Sequence, residues 1–484
     1  MFSRKHAAGI HCSASSIRKM SPMPWPFLQV LRLRPSPASA CLSIAASRPA
    51  RPNSHGPSHN RNITETWRKT RGAGCEAGLR LIDDRMSRLF PDVFRNPAIR
   101  ACMIAIFTFG MAGAMTAPYR SIIGIRELGL SDGLYSFLSF VSAAVNVVIS
   151  ILLGNLADRL GEYRSTMIGA CVFGIVGYGM VYAFPTAAVF VISGLLPLPI
   201  YGALNSLLFA NARAAMHGMS RSDMVTANSG VRAMISLSWV LIPGITGLLL
   251  SGASSMLPAY LFAAISCLLC QGIIVFALPR RAATEMAAVH HLTYLGALRQ
   301  VVSPRISAHI CGVALITSTL HLNDALLPLI ATGAAHGRLS DVGILVGIVA
   351  LLEVVFIIIW SRIARKTGQM TALAAGTIIY AVFLSLLGFA SEPWHLYALT
   401  LLAGIGAAAI ISFPITYLQD LIADRPGLGS ALISVNIFAS AGIGALVFAA
   451  GTYVTGYSGT AILSAVTGLS GITLLGLLQK RSAH

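Results

Sequence analysis

The sequence predicts an all-α membrane protein, with twelve transmembrane helices in two six-helix lobes. Three observations carry that prediction. Of 484 residues, 55% are hydrophobic and 11% charged, where a soluble domain averages about 25% charged; the mean hydropathy is +0.73. A charge in hydrocarbon is costly, so a chain facing lipid must shed charge. From Ile99 onward, apolar segments follow one another at about the 20 residues that cross a bilayer. The second half then echoes the first. Ala157-Asp158-Arg159-Leu160-Gly161 returns as Ala364-Arg365-Lys366-Thr367-Gly368, 207 residues later. The same offset sets the first helix on the seventh and leaves Asn228 one residue short of Asn436.

In chain order the apolar runs predict α1 near 99–119, α2 near 134–156, α3 near 164–184, α4 near 187–210, α5 near 225–250 and α6 near 258–278. A polar link near 279–305 follows, carrying Arg280, Arg281, Arg299 and Arg305. Then come α7 near 306–331, α8 near 341–363, α9 near 370–390, α10 near 395–418, α11 near 429–451 and α12 near 459–478. The lobes are therefore 96–279 and 306–480, joined by a central loop, 280–305. Two lobes joined by a basic link form a parallel repeat.

Basic residues set the orientation. Arg159, Arg213, Arg221, the central arginines, Arg362, Arg365, Lys366 and Arg425 lie in links on one side, with Lys480 and Arg481 beyond α12. The opposite links carry Arg120, Arg126 and Arg338. Positive charge stays inside, so both termini and the central loop are expected to be cytoplasmic.

Residues 1–95 are rich in Arg, Ser and Pro and lack apolar periodicity, so they read as a disordered extension. Three origins stay open: an assigned start upstream of a true one near Met86, a cytosolic tail, or an organelle transit peptide. The segment holds 16 Lys and Arg against 5 acids, +11 of the formal net charge of +18. The rest of the excess lies in loops. No zinc finger, aromatic RNA platform or basic helix accompanies it, so no nucleic-acid partner is expected. Cys267 and Cys270 form a C-x-x-C inside an apolar helix. Redox or metal chemistry needs thiolates that water reaches, so packing is the expected role. No metal cluster, nucleophile elbow or phosphate loop occurs in a plausible setting. The chain is not expected to be an enzyme or to carry a cofactor.

Ionisable and amide groups inside a membrane usually face the protein interior or an aqueous cavity, which singles out a few positions. On α5, Asn228, Arg232, Ser236 and Trp239 share one face, joining an amide, a cation, a hydroxyl and an indole. Such groups bind sugars by hydrogen bonding and stacking; the plain alternative is that Arg232 snorkels to the interface. On α7, Thr317, His321 and Asp324 share a face with Asn323 beside them. Asp324 is a candidate for taking a proton or accepting sugar hydroxyls, or it is simply hydrated at a mouth. Glu353 sits mid-α8, where a carboxyl suits proton loading or substrate binding; a structural pair with Arg232 is the alternative. Asn146 stands on a small polar stripe of α2 with Ser139, Ser142 and Ser150, which packing between helices explains equally well. Gln419 follows Ser412 and Thr416 on α10, and Asn436 precedes Ser440 on α11. Pro118, Pro197, Pro199, Pro243, Pro328 and Pro414 are placed to break helices where a site needs free backbone groups.

Between α2 and α3, the stretch Gly154-Asn155-Leu156-Ala157-Asp158-Arg159-Leu160-Gly161-Glu162-Tyr163-Arg164 resembles the loop signature of the major facilitator superfamily. Gly154, Asp158, Arg159 and Gly161 match it, with Arg164 as the shifted basic residue. Gly110-to-Pro118, Arg126-Glu127-Leu128-Gly129, Arg232-Ala233, Leu237-Ser238-Trp239-Val240, Pro243, Gly347, Leu352-Glu353 and Gln419-Asp420-Leu421 with Arg425 resemble its sugar efflux transporter family. The resemblance spans about residues 98–480. It implies the major facilitator fold and an inner (plasma) membrane protein. It also implies export of sugars such as lactose, glucose or glucosides in exchange for protons, by a monomer. Asp158 and Arg159 would then lock the cytoplasmic helix ends in one conformational state. Two departures stand out: the second-half loop Arg362-to-Gly368 lacks the acid, and His321 and Asn323 leave the sugar open. A drug/proton antiporter is the alternative, since Pro243-Gly244 with Gly247 resembles the antiporter proline–glycine motif.

Overall fold

The computed structural model describes residues 96–160, 162–216, 218–278, 304–421 and 426–483. The extension 1–95 and most of the central link, 279–303, lie outside the described residues. Every described element is a helix or a turn.

The first lobe begins at Asn96, whose side chain accepts from the Ala98 amide at 2.9 Å, with Pro97 opening α1, Pro97–Thr116. A side-chain acceptor and a first-turn proline are what a helix start requires. A 3₁₀ turn, Ala117–Tyr119, and a π-helical turn, Ile122–Glu127, carry the chain to α2, Asp132–Leu160. Then come α3, Tyr163–Ala183, α4, Ala187–Ala215, α5, Arg221–Leu249, and α6, Pro258–Phe276. The span α4 is three stacked pieces, Ala187–Leu195, Pro197–Gly202 and Leu204–Ala215, because Pro197 and Pro199 withhold two amides from the ladder.

The second lobe holds α7, Pro304–Ala331, α8, Leu339–Thr367, α9, Gln369–Leu387, and α10, Pro393–Asp420. The last helical run, Pro426–Ala483, is two helices, α11 over 426–455 and α12 over 457–483, broken at Gly456 (φ 67°, ψ −173°). That backbone region is open essentially to glycine alone, so one residue reverses the chain where the sequence suggests a link of several.

Several helices outrun the expected ends: α4 runs on to Ala215, α11 to 455 and α12 to 483, and α2 and α8 do the same. The helix α2 reaches Leu160, so Gly154–Arg159 are helical rather than a link, and α8 carries Arg362, Arg365 and Lys366 to Thr367. The ladder of α8 stops at Gly368, whose φ of 88° is the left-handed stop that glycine supplies.

The lobes meet along two seams. Along α2, Tyr457 Oη at the start of α12 donates to Asp132 Oδ1 at 2.9 Å, while on α11 the Ala445 carbonyl accepts from Ser136 Oγ and Phe438 packs on Phe140 with ring centroids 5.1 Å apart. On α5 and α8, the backbones of Pro243 and Val240 press against Gly343 and Gly347. Above them, Arg126 donates to Thr332 Oγ1 and to the Leu329 carbonyl, both at 2.6 Å. These contacts lie at the end opposite the basic links, which is closed.

Candidate functional site

Between the lobes, and running into the second one, lies a cavity of about 440 Å³. It gathers Trp239 from α5, His321, Asn323 and Asp324 from α7, Glu353 from α8 and Asn436 from α11. Aliphatic and aromatic side chains, among them Leu345, Val346, Phe383 and Ile411, form most of the wall.

Local helix geometry explains the cluster. Thr317, His321 and Asp324 recur on one face of α7, so a single helix presents all three. His321 and Asp324 are open to the cavity space, and Asn323 is half-buried. Asn436 is buried; its Nδ2 donates to Thr317 Oγ1 at 3.2 Å, and that hydroxyl donates onward to the Val313 carbonyl at 3.0 Å. The Oδ1 atoms of both Asn323 and Asn436 are buried without a hydrogen-bond partner. A buried acceptor left unpaired costs about 1–3 kcal/mol; both oxygens belong to cavity-lining residues, and a donor would relieve that cost once a side-chain movement uncovers them.

The prolines add to this. Pro243, Pro328 and Pro414 sit inside α5, α7 and α10. A proline withholds its amide from the carbonyl four residues earlier. Those residues are Trp239, Asp324 and Ile410, and all three line the cavity.

Glu353 does not pair with Arg232. It shares the cavity lining with Asp324, another acid. Among the described residues, neither Lys nor Arg lines the cavity.

The other expected site residues stand elsewhere. Asn228 and Arg232 are exposed and outside the cavity lining, as is Gln419. Asn146 is engaged inside its own lobe, with Nδ2 donating to the Pro199 carbonyl at 2.9 Å, one of the acceptors at the α4 breaks. In the loop signature, Gly154 has open space beside it and Arg159 is exposed. The Asp158 side chain and Gly161 lie outside the described residues. Arg164 donates from Nε to the Ile274 carbonyl at 3.2 Å and from Nη2 to the Val275 carbonyl, tying α3 to the last turn of α6 in the same lobe. Cationic side chains at a helix C-terminus satisfy its free carbonyls.

Two contributors escape the sequence reading. Tyr380 on α9 and Thr400 on α10 line the cavity, although neither helix is polar there. The available signal is Tyr380 and Phe383 three apart on one α9 face. The buried C-x-x-C serves packing: Cys270 Sγ meets the Ala105 carbonyl at 3.4 Å, joining α6 to α1.

Comparisons with known proteins agree with this architecture. Sugar efflux transporter A of Dickeya chrysanthemi is 25% identical over 352 residues, covering 72% of this chain and 86% of that protein. Sugar efflux transporter B of Salmonella typhimurium is 24% identical over 337 residues, covering 70% and 84%. The crystal structure of nucleoside transporter NupG superposes with a TM-score of 0.67 at 14% identity, over 79% of this chain and 99% of that one, a likeness of fold. Two overlapping stretches, residues 38–220 and 102–332, match the family model described as Major Facilitator Superfamily. This multi-pass chain belongs to the major facilitator superfamily.

Proposed function

We propose that the chain is a secondary active transporter that exports sugars or glycosides by proton antiport, working by alternating access. One observation carries the proposal: Asp324 and Glu353 share a cavity with the unpaired oxygens of Asn323 and Asn436 and the indole of Trp239. Acceptors suit sugar hydroxyls, an indole face suits a pyranose ring, and a pair of carboxyls gives protons a place to load. The relatives named as sugar efflux transporters support the same substrate class.

In this reading the closed end is one state of the cycle. His321 joins the substrate contacts. Asn146, Asn228, Arg232 and Gln419 serve along the route between the cavity and the basic end. Gly154, Asp158, Arg159, Gly161 and Arg164, at the junction of α2 and α3, steady that end as the lobes move. The protein sits as a monomer in the inner (plasma) membrane with both termini cytoplasmic, its lobes 96–279 and 306–480 joined by the loop 280–305, after the extension 1–95.

The test is uptake of labelled lactose and methyl glucoside into inside-out vesicles, with and without an imposed pH gradient, beside Glu353→Gln. Gradient-dependent accumulation that the variant loses is the expected result. One observation favours a second reading, drug/proton antiport: the cavity wall is mostly apolar and its fixed charges are acidic, which also suits lipophilic cations. Absence of sugar accumulation, with gradient-driven movement of such cations, would select that reading.

A further inference from the structure

We infer that the cavity is a charge filter, taking neutral hydroxyl-rich sugars and rejecting their phosphorylated and carboxylated counterparts, with Asp324 and Glu353 setting the selection. The inference rests on the sugar reading and narrows its substrate class. Two carboxyls from neighbouring helices share one lining, and among the described residues neither Lys nor Arg lines it. Among the described lining residues, His321 is the side chain able to carry positive charge, and the remaining titratable group is the Tyr380 phenol. Arg232, the nearest cation expected from the sequence, is exposed and outside the lining.

The uncharged polar atoms point the same way. Asn436 spends its amide nitrogen on Thr317, and Thr317, Thr400 and Ser440 donate their hydroxyls to backbone carbonyls. Unpaired acceptors remain, the buried oxygens of Asn323 and Asn436 and the carbonyls of Trp239, Asp324 and Ile410 that prolines leave without a helical donor, beside the uncharged donors of the Trp239 indole, the Asn323 amide and the Tyr380 phenol. A sugar hydroxyl satisfies such atoms by donating. A phosphate or carboxylate cannot donate when ionised, sheds its water on entering, and meets like charge in a medium that screens poorly. Selection against the anion therefore follows from repulsion by the two carboxyls, with no Lys or Arg among the described lining residues to offset it.

The experiment is displacement of labelled methyl glucoside from the purified full-length protein at one fixed pH. Competitors are unlabelled methyl glucoside, glucuronic acid and glucose 6-phosphate. The wild type should bind both anions roughly 30-fold or more weakly than the neutral sugar. Asp324→Asn and Glu353→Gln should each narrow that ratio roughly tenfold, and Asn323→Asp, which adds an acid to the lining, should widen it. The Asn323→Asp arm keeps the test open if a neutralised variant fails to fold. Anions binding within about threefold of the neutral sugar, or a ratio that none of the three substitutions moves, overturns the filter and leaves the sugar reading standing. Failure of methyl glucoside to bind at all overturns the sugar reading and the filter with it.

Discussion

A β-carbon on Gly347 of α8 would lie 2.9 Å from the Val240 carbonyl oxygen of α5. One turn away Gly343 is pressed against the Pro243 carbonyl, and beyond it Gly247 lies against the Ser340 backbone. The pairs advance along α5 as they retreat along α8, so two antiparallel helices from different lobes touch backbone to backbone. Small residues spaced four apart allow that approach within a membrane. Trp239 and Glu353 stand just past the seam, where the helices part into the cavity.

A bulky residue at this seam must therefore separate the lobes. Gly347→Val should cost the closed state about 1–3 kcal/mol and open the end opposite the basic links. In a background without native cysteines, a cysteine at position 340, where Ser340 is 7% exposed, should be inert to a membrane-impermeant maleimide. It should become reactive when Gly347→Val is added. Continued protection would mean that the seam repacks and does not gate.

Arg126 and Glu127 are neighbours with opposite allegiances. Glu127 accepts from Ser255 Oγ and, at 3.1 Å, from the Met256 amide, holding the π-helical turn to its own lobe. Arg126 reaches the other lobe at Thr332 and Leu329. Its bonds are charge-assisted but partly open to water, so Arg126→Ala should shift the lobes toward opening by about 1 kcal/mol, roughly fivefold in population. Spin labels at Ser131 and His336 should show a longer distance component growing in the variant. An unchanged distribution would reduce Arg126 to a cap on α7.

Much of this was legible in sequence, and what was not has a physical cause. Helix limits fell within a few residues because hydropathy ends where lipid ends. The exceptions include α2, α4, α8 and α12, whose charged last turns continue as helix into the polar interface, until a glycine stops α8 at Gly368. In α5, sharing a face fixes azimuth and not depth. Asn228 and Trp239 are eleven residues apart, about 16 Å along the axis, so Trp239 lines the cavity and Asn228 does not. Asn323, Asp324, Glu353 and Asn436 were legible because polar groups deep in apolar helices are few. The inter-lobe reach of Arg126 was not legible, because periodicity within one helix is silent about its partners.

Gly456 gives a prediction about stability alone. Its φ of 67° with ψ of −173° is closed to residues bearing a β-carbon, and straining it costs about 1–3 kcal/mol. The residue lies at the α11–α12 reversal, away from the cavity. Gly456→Ala should lower the thermal midpoint of the detergent-solubilised protein while leaving the affinity for methyl glucoside unchanged. An unaltered midpoint would mean that the turn relaxes into another geometry without cost.

The acid pair makes the last prediction, because binding and coupling separate in an exchange assay. If protons drive transport through Glu353, removing its charge should abolish accumulation against a gradient. Swapping of sugar for sugar across the membrane needs no net proton movement. Glu353→Gln should therefore retain counterflow of labelled methyl glucoside and lose its response to an imposed pH gradient. Asp324 stands on the helix that also carries Asn323 and His321, so Asp324→Asn should additionally raise KM for counterflow, roughly tenfold for one lost charge-assisted hydrogen bond. Loss of counterflow in Glu353→Gln, in a protein that still elutes as a single folded species, would place Glu353 among the sugar contacts. Retained gradient response in both variants would remove the pair, the two carboxyls among the described lining residues, from coupling.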